Sequence, residues 1–542
     1  MLPVVSEAEK KTKRSLAGIA GIVAIATLIS KVVGLVRQQA IAAAFGVGPA
    51  VDAYYYAYMI PGFLLVLLGG INGPFHSAIV SVLAKRPKEE GAALVETITT
   101  LVGGLLLIVA IALFFFADPL IGLVAPGFNE IEQGDLVRQI AVQQLQIMAP
   151  MAVLAGLIGI GFGTLNAADQ YWLPSISPLF SSVALISGIG VLAWQLGGDL
   201  GDLQYARLGG WVLAGGTLAG ATLQWLVQVS AQWRAGLGKL RLRFDIRRPG
   251  VGQVMRIMAP ATFSSGMLHI NLYTDLFFAS AIPGTAAALN YAGLLVQTPL
   301  GIISNVILVP LLPVLARLAA PSDWPELKTR IRQGLLLTAI TMLPLGALMV
   351  VLASPLVRVV YERFAFGQEA SRIVTSMLIA YGIGMFFYLA RDVLVRVFYA
   401  LDDGETPFRI STFNIFLNAA LDYWLIQVFG APGLVLATVG VNLSSMMLLL
   451  WCLNRKLHGL PLVEWGKSVV GLLIGSVIAG AGSWATLRGC EQLLGTQGFF
   501  ILLLELAIAA AAGLALFAAI ASRLQVPEVD LFVARIRQRF RR

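Results

Sequence analysis

Two basic residues stand inside an apolar run long enough to cross a membrane. Residues 15–45, SLAGIAGIVAIATLISKVVGLVRQQAIAAAF, carry Lys31 and Arg37 well within the run. About 20 apolar residues suffice to span a bilayer, and a charge at its centre costs roughly 2.5–3.5 kcal/mol on insertion scales. Both side chains must therefore meet protein or water. Helical spacing puts Lys31, Gly34 and Gln38 on one stripe, with Arg37 beside Gly34. The arrangement predicts a membrane-embedded, water-filled cavity that accepts an anion. The alternative is that both side chains snorkel to the nearer surface.

A second set offers only oxygens. Asn418 and Asp422 are one helical turn apart in one apolar segment, Thr438 lies in the next, and Asp275 in an earlier one. Low-charge oxygen groups suit a hard cation such as Na+, and a carboxylate within a bilayer needs such a partner. Protonation of Asp275 or Asp422 is the competing account and makes H+ the coupling ion. A third set is Arg391, Asp392 and Arg396. Arg391 and Asp392 are adjacent and point in different directions, whereas Asp392 and Arg396 are four apart and can pair. This set reads either as a gate or anion contact, or as an ion pair that orients helices. His76, His269 and His458 are scattered, and packing or hydrogen bonding is expected of each. No nucleophile, phosphate loop or metal-spaced motif is present, so neither an enzyme nor a cofactor is expected, beyond Na+ as a candidate coupling ion.

The elements that must position these groups are apolar helices. Of 542 residues, 58% are hydrophobic and 12% charged, against about 25% charged in a soluble domain. The expected class is all-α and polytopic, with fourteen transmembrane helices near 16–44, 53–84, 92–117, 138–166, 174–196, 206–233, 251–282, 286–316, 330–353, 370–400, 408–429, 431–453, 464–487 and 497–522. The net charge of +9 sits between apolar segments, so the positive-inside rule accounts for it without nucleic acid. Basic loops at 85–88, 234–248, 328–332 and 455–456 share one side with both termini, which the rule makes cytoplasmic, while 118–135 and 197–202 are acidic. The segment Arg358 to Arg363 is a basic exception on the far side. The start KKTKR is not read as a signal peptide, because the apolar run behind it is too long and is interrupted by charge. Cys452 and Cys490 belong near opposite faces, which argues against a disulfide.

Pro61, Pro150, Pro260, Pro299, Pro310, Pro313 and Pro344 fall within spans, where each permits a kink. A faint repeat recurs at about 235 residues: VDAYYYAYMIPGFLL (51–65) with AAALNYAGLLVQTPLG (286–301), and NAADQYWLP (166–174) with YALDDGETP (399–407). An even number of spans separates the copies, so they run in the same direction, as two six-helix lobes that rock about a central cavity. The expected divisions are a lobe at 1–233, a basic linker at 234–250, a second lobe at 251–456, helices thirteen and fourteen within 457–522, and a basic amphipathic tail at 523–542 lying on the anionic leaflet.

Several blocks together resemble the MurJ/MviN family of lipid II flippases, in the multidrug/oligosaccharidyl-lipid/polysaccharide exporter superfamily. These are SKVVGLVRQQAIAAAFGVGPAVDAYYYAYMIP at the start, VAPGF (124–128), LNA (165–167) with Pro174, YERFAF (361–366) and VFYALDDGETP (397–407). The resemblance implies two six-helix lobes plus two helices that extend the cavity as a hydrophobic groove. It implies undecaprenyl-pyrophosphate-linked peptidoglycan precursor as substrate, moved to the outer leaflet of the bacterial inner membrane. Lys31 takes the place of an essential family arginine, Arg37 matches another, and Asp52 matches a family aspartate, so these three are the implied substrate contacts; Gln38, on the Lys31 stripe, and Arg391 and Arg396, as cations that could compensate for missing arginines, complete the expected substrate set. Asp275, Asn418, Asp422 and Thr438, with the backbone of Leu434, are similar to a sodium site of the family. Cell-wall synthesis enzymes and membrane lipids are the implied partners. The chain departs from the family at Leu65-Val66 and Leu294, where the family has arginines, and at Gln38, where an acid is common. A less cationic cavity keeps open another polyprenyl-linked glycan as cargo. A cation-coupled drug antiporter or a non-transporting scaffold stand further off.

Overall fold

A computed structural model describes residues 16–69, 74–83, 86–248, 250–258, 270–495 and 498–524. The expected interfacial tail helix, His269 and Pro260 lie outside them, as does the basic start. The described chain is helical throughout, with no strand among these residues. Among the described residues eleven helices are long and apolar enough to cross a membrane, and a twelfth if one bent pair counts as a single span. The fourteen expected spans differ from these at two places. Span 408–429 is a helix whose polar content keeps it from passing on hydropathy, and the middle of span 251–282 is outside the described residues.

The helices are α1 (Leu16–Phe45), α2 (Pro49–Gly69), α3 (Pro74–Leu83), α4 (Lys88–Phe115), α5 (Ala117–Val124), α6 (Gly134–Met148), α7 (Met151–Ala167), α8 (Trp172–Ile176), α9 (Pro178–Leu196) and α10 (Ala206–Arg234). They continue with α11 (251–258), α12 (Ile270–Ala279), α13 (Thr285–Ala316), α14 (Trp324–Val351), α15 (Ala353–Tyr361), α16 (Gln368–Ala400), α17 (Glu405–Phe429), α18 (Ala431–Lys456), α19 (Leu462–Leu494) and α20 (Phe499–Arg523). Pro150 breaks the expected fourth span, where α6 and α7 meet at 42°. Pro61, Pro299, Pro310, Pro313 and Pro344 instead sit inside helices that continue through them. The expected span 53–84 is not one helix: α2 ends at Gly69 and α3 starts at Pro74.

The chain forms two compact units. The first comprises 1–44, 53–123 and 136–269; the second comprises 45–52, 124–135 and 270–542. In the first unit α7 is buried on nearly all sides and packs against α3, α4 and α10. Its glycines permit this: a Cβ on Gly159 would strike the Leu68 carbonyl, and one on Gly163 would meet Ile79. Residues 251–258, expected to open the second lobe, belong to the first unit, because Val251, Val254 and Met258 join the core of Leu94, Val95 and Leu67. The basic linker is also fixed there. Glu96 accepts from the Lys239 N–H at 2.9 Å and its other oxygen lies 2.7 Å from Arg243 Nε, while Thr100 Oγ1 accepts from the Arg243 N–H at 3.0 Å. In the second unit α16 is the central helix, packed against α13, α14 and α18, and α19 and α20 pair with each other and lean on α14.

The repeat read from the sequence has the same local geometry in both copies. Asp169 and Asp402 both have positive φ, at 59° and 55°. The residue after each donates its N–H back across the helix end, Gln170 to the Leu165 carbonyl and Asp403 to that of Phe398, both at 2.9 Å. That is the six-to-one closure of a Schellman turn, with aspartate in the left-handed position. The copies then diverge. Asp403 binds the Thr406 N–H at 3.0 Å, the Thr406 hydroxyl at 2.9 Å and the Lys456 ammonium at 2.7 Å, tying α17 to the end of α18.

Burial pushes the Asp403 carboxyl up, but the Lys456 hydrogen bond, the two Thr406 bonds and the Lys456 charge outweigh it and hold it below its ordinary value. A depressed carboxyl stabilises the fold above its unfolded pKa of about 3.9. That contribution fades as pH falls through the lower folded value. Asp403→Asn is therefore expected to lower the Tm of the purified protein by a few degrees at pH 6, and the gap from wild type should narrow steadily as pH falls below about 3.9. A gap that stays constant over that range would remove this role from Asp403.

Candidate functional site

The oxygen set assembles within the second unit. Asp275 on α12, Asn418 and Asp422 on α17, and Thr438 on α18 converge because these three helices pack together. Asn418 Nδ2 donates to Asp275 Oδ1 at 2.8 Å and to Asp422 Oδ2 at 2.7 Å, using both of its hydrogens. Thr438 Oγ1 lies 3.2 Å from Asp275 Oδ2 and 3.2 Å from the Leu434 carbonyl, and its one proton serves one of them at a time. Asn442 Nδ2 donates to the Thr438 carbonyl at 2.7 Å. Asn418, Asp422 and Leu434 are fully buried.

The donor chemistry fits a hard monovalent cation. Asn418 Oδ1 and Asp422 Oδ1 are buried with no hydrogen-bond partner, as is the neighbouring Asn414 Oδ1. An unsatisfied buried polar group costs about 1–3 kcal/mol. Two carboxylates, an amide oxygen, a hydroxyl and a backbone carbonyl could hold Na+. Among the described residues no group of three or more His, Cys, Asp or Glu converges, which is not the ligand set of a transition metal. The sequence reading missed Asn414 and Asn442. They extend the set by one turn on each helix, Asn414-Asn418-Asp422 and Thr438-Asn442, and this four-residue ladder was the available signal. It also missed Tyr381 and Tyr388 of α16, both within electrostatic reach of Asp275; the buried Tyr388 hydroxyl has no partner.

The basic set of α1 lies in the first unit. Lys31 is exposed and makes no ion pair among the described residues. Arg37 is half-buried, and its Nε is buried without a hydrogen-bond partner. Its charge reaches Tyr54 and Tyr58 of α2, whose rings stack at 5.5 Å. Tyr54 is held by Thr217 at 2.9 Å, and Gln38 Oε1 accepts from the Tyr55 hydroxyl at 3.0 Å. The aromatic row of α2 thus braces the face of α1 that carries Arg37 and Gln38. His76 in this unit bonds Asn166 at 2.9 Å, and His458 in the other unit lies against the Trp324 ring.

The remaining expected contacts are placed differently, in the second unit. Asp52 is buried, and its two oxygens accept the N–H groups of Gly284 at 3.1 Å and Ala287 at 3.2 Å. Its carboxylate caps the start of α13, where orphan N–H groups and the helix dipole favour a negative charge; it is committed to backbone rather than offered to a ligand. Asp392 pairs with Arg391 at 3.8 Å, not with Arg396 as the four-residue spacing suggested. Arg396 turns the other way and donates to the Leu308 carbonyl of α13 at 3.4 Å. The Leu308 carbonyl, whose helical donor would be the N–H of Leu312, thus takes a second donor from α16. Neither pairing gathers Arg391 and Arg396 onto one target.

The sequence and the fold were compared with known proteins. A family profile described as "Lipid II flippase MurJ" matches residues 41–505. A protein of Synechocystis sp. named "Probable lipid II flippase MurJ" is 59% identical over 98% of this chain and 99% of its own length. The "Lipid II flippase MurJ" of Burkholderia cenocepacia is 28% identical over 85% of this chain and 88% of its own. Among solved structures, a "Lipid II flippase MurJ, inward closed conformation" superposes with a TM-score of 0.73 at 22% identity, covering 93% of this chain and 99% of that one. With the family matched over most of its length and the same helical fold in a solved member, the chain belongs to the lipid II flippase MurJ family.

Proposed function

We propose that this multi-pass membrane protein is a lipid II flippase, carrying the polyprenyl-diphosphate-linked peptidoglycan precursor from the cytoplasmic to the outer leaflet by alternating access, with both termini in the cytoplasm. The observation that carries this reading is Arg37. It is a guanidinium within a membrane span of a MurJ-family chain, with its Nε buried and bare of any protein acceptor. Such a group is incomplete without an anion. A diphosphate supplies the oxygens that guanidinium and ammonium bind through charge-assisted hydrogen bonds, and Lys31 six residues earlier adds a second cation. The tyrosines of α2 limit where the guanidinium can swing. The 59% identical relative bears the lipid II name, which favours that cargo over another polyprenyl-linked glycan despite Leu65, Val66 and Leu294.

The oxygen set of α12, α17 and α18 is proposed as the coupling-ion site. Asp275, Asp422, Asn418, Thr438 and the Leu434 carbonyl would hold Na+, which would supply the positive charge that two neighbouring carboxylates in a membrane lack. A proton on either carboxylate would serve the same end.

Expression in a bacterium depleted of its own lipid II flippase tests the transport reading. Wild type is expected to restore growth and delivery of labelled lipid II to the outer leaflet. Arg37→Ala should cut delivery about tenfold or more, the worth of a lost charge-assisted contact. Normal delivery by Arg37→Ala, or no rescue by wild type, would defeat the reading. The ion site has its own readout. The Tm of the purified wild type should climb with Na+ but not with K+, as for any ligand that binds only the folded state. Asp275→Asn should flatten that response, and a wild-type Tm indifferent to Na+ but raised by acid would assign the site to H+.

A further inference from the structure

A polar cavity of about 420 Å³ opens in the second unit between α15 and the start of α16, apart from both sets described above. Its walls are two stripes with the same period. Ser354, Arg358 and Glu362 recur every fourth residue along and just past α15, and Gln368, Arg372 and Ser376 recur every fourth residue along α16. Residues four apart share a helix face, so each stripe presents one continuous polar edge to the cavity. α16 is long and apolar enough to cross a membrane, and its first turns would not carry a polar edge facing lipid. The edge is justified if the cavity holds water or a polar ligand.

The charges are arranged for an anion. Ser371 Oγ donates to Glu362 Oε2 at 2.7 Å, and Arg358 Nε lies 3.6 Å from the same oxygen, so Glu362 is already engaged and steadies Arg358. Arg372 is exposed and has no ion pair among the described residues. Among the lining side chains one carboxylate faces two guanidiniums and the rest are hydroxyls, an amide and the apolar Ile379; Arg358 also lies within electrostatic reach of the buried Glu505, so Arg372 supplies the charge left over for a ligand. The segment is the basic exception in the expected charge pattern, with Arg358 to Arg363 on the side expected to lie opposite the basic loops. Arg363 is used within the protein, on the Val359 carbonyl and over the Phe499 ring, which leaves Arg358 and Arg372 to face the cavity.

We propose that this cavity binds an anionic, hydroxyl-bearing phosphate headgroup on the membrane face opposite the basic loops, with Arg372 and Arg358 on the phosphate and Ser376 and Gln368 on the hydroxyls. The inference does not depend on the transport reading. The same chemistry can arrive as a phosphatidylglycerol headgroup or as a free glycerol phosphate. The test uses the full-length protein in detergent, titrated with dioctanoyl phosphatidylglycerol, dioctanoyl phosphatidylcholine and glycerol 3-phosphate, with bound adducts read by native mass spectrometry. Phosphatidylglycerol is expected to bind in preference to phosphatidylcholine, and Arg372→Gln should weaken it about tenfold, the loss of one charge-assisted contact. Ser376→Trp, which fills the cavity and leaves both arginines in place, should weaken it as well. Binding of glycerol 3-phosphate with the same sensitivity to Arg372→Gln would identify the free headgroup as sufficient; binding of the lipid alone would identify a lipid site. Equal binding of phosphatidylcholine, or phosphatidylglycerol binding unchanged in both variants, would overturn the proposal.

Discussion

A charge or a bare polar group within a membrane has to be answered by another group or by water, because the hydrocarbon offers neither. The polar chemistry of this chain follows from how each such group is answered. Asp52 is answered by the first turn of α13, Arg396 by the Leu308 carbonyl, and Arg391 by its neighbour Asp392. These residues are spent on structure. Lys31 makes no ion pair among the described residues, and the Nε of Arg37 and the buried Oδ1 atoms of Asn418 and Asp422 have no hydrogen-bond partner there; these are the groups through which ligands are most simply accounted for. Sorting intramembrane polar groups by whether their partners are internal separates scaffold from site more sharply than charge alone.

The scaffold uses a small number of devices. Glycines on α7 admit the Leu68 carbonyl of α2, Ile79 of α3 and the Leu106 side chain of α4 at close range in the first unit, and α16 plays the central part in the second. Helix ends are closed by aspartates in the left-handed conformation at the two copies of the repeat. The copies share this closure but not its attachments: Asp403 is fastened to Lys456, whereas Asp169 accepts from the Tyr171 hydroxyl two residues on. A duplicated turn can thus keep its backbone and diverge in what its side chains hold.

Much of this was legible in the sequence, and the failures have physical causes. Helix ends at Phe45, Ala316, Ala400, Phe429 and Arg523 fall within a few residues of the expected limits, because apolar runs bounded by Gly, Pro and charge leave little freedom. The oxygen set was legible because four-residue spacing fixes a helix face, and the same rule exposes Asn414 and Asn442. It failed for Asp392, where spacing offered Arg396 as a partner but Arg396 reaches the Leu308 carbonyl of α13 instead. Spacing along one helix carries no information about what a neighbouring helix presents. Asp52 was placed at the substrate by resemblance, and its role as a cap depends on Gly284 and Ala287, more than two hundred residues away. The break at Pro150 was foreseen, yet five other prolines leave their helices continuous. Proline removes a donor but does not dictate a bend when packing holds the axis.

The account stands on the α1 cations meeting water rather than lipid. Lys31→Cys, in a background where Cys452 and Cys490 are serine, should react in membranes with a charged, impermeant thiol reagent, and added lipid II should slow that reaction. Labelling only by a membrane-permeant reagent, at a rate unaffected by lipid II, would put residue 31 among acyl chains and contradict the account.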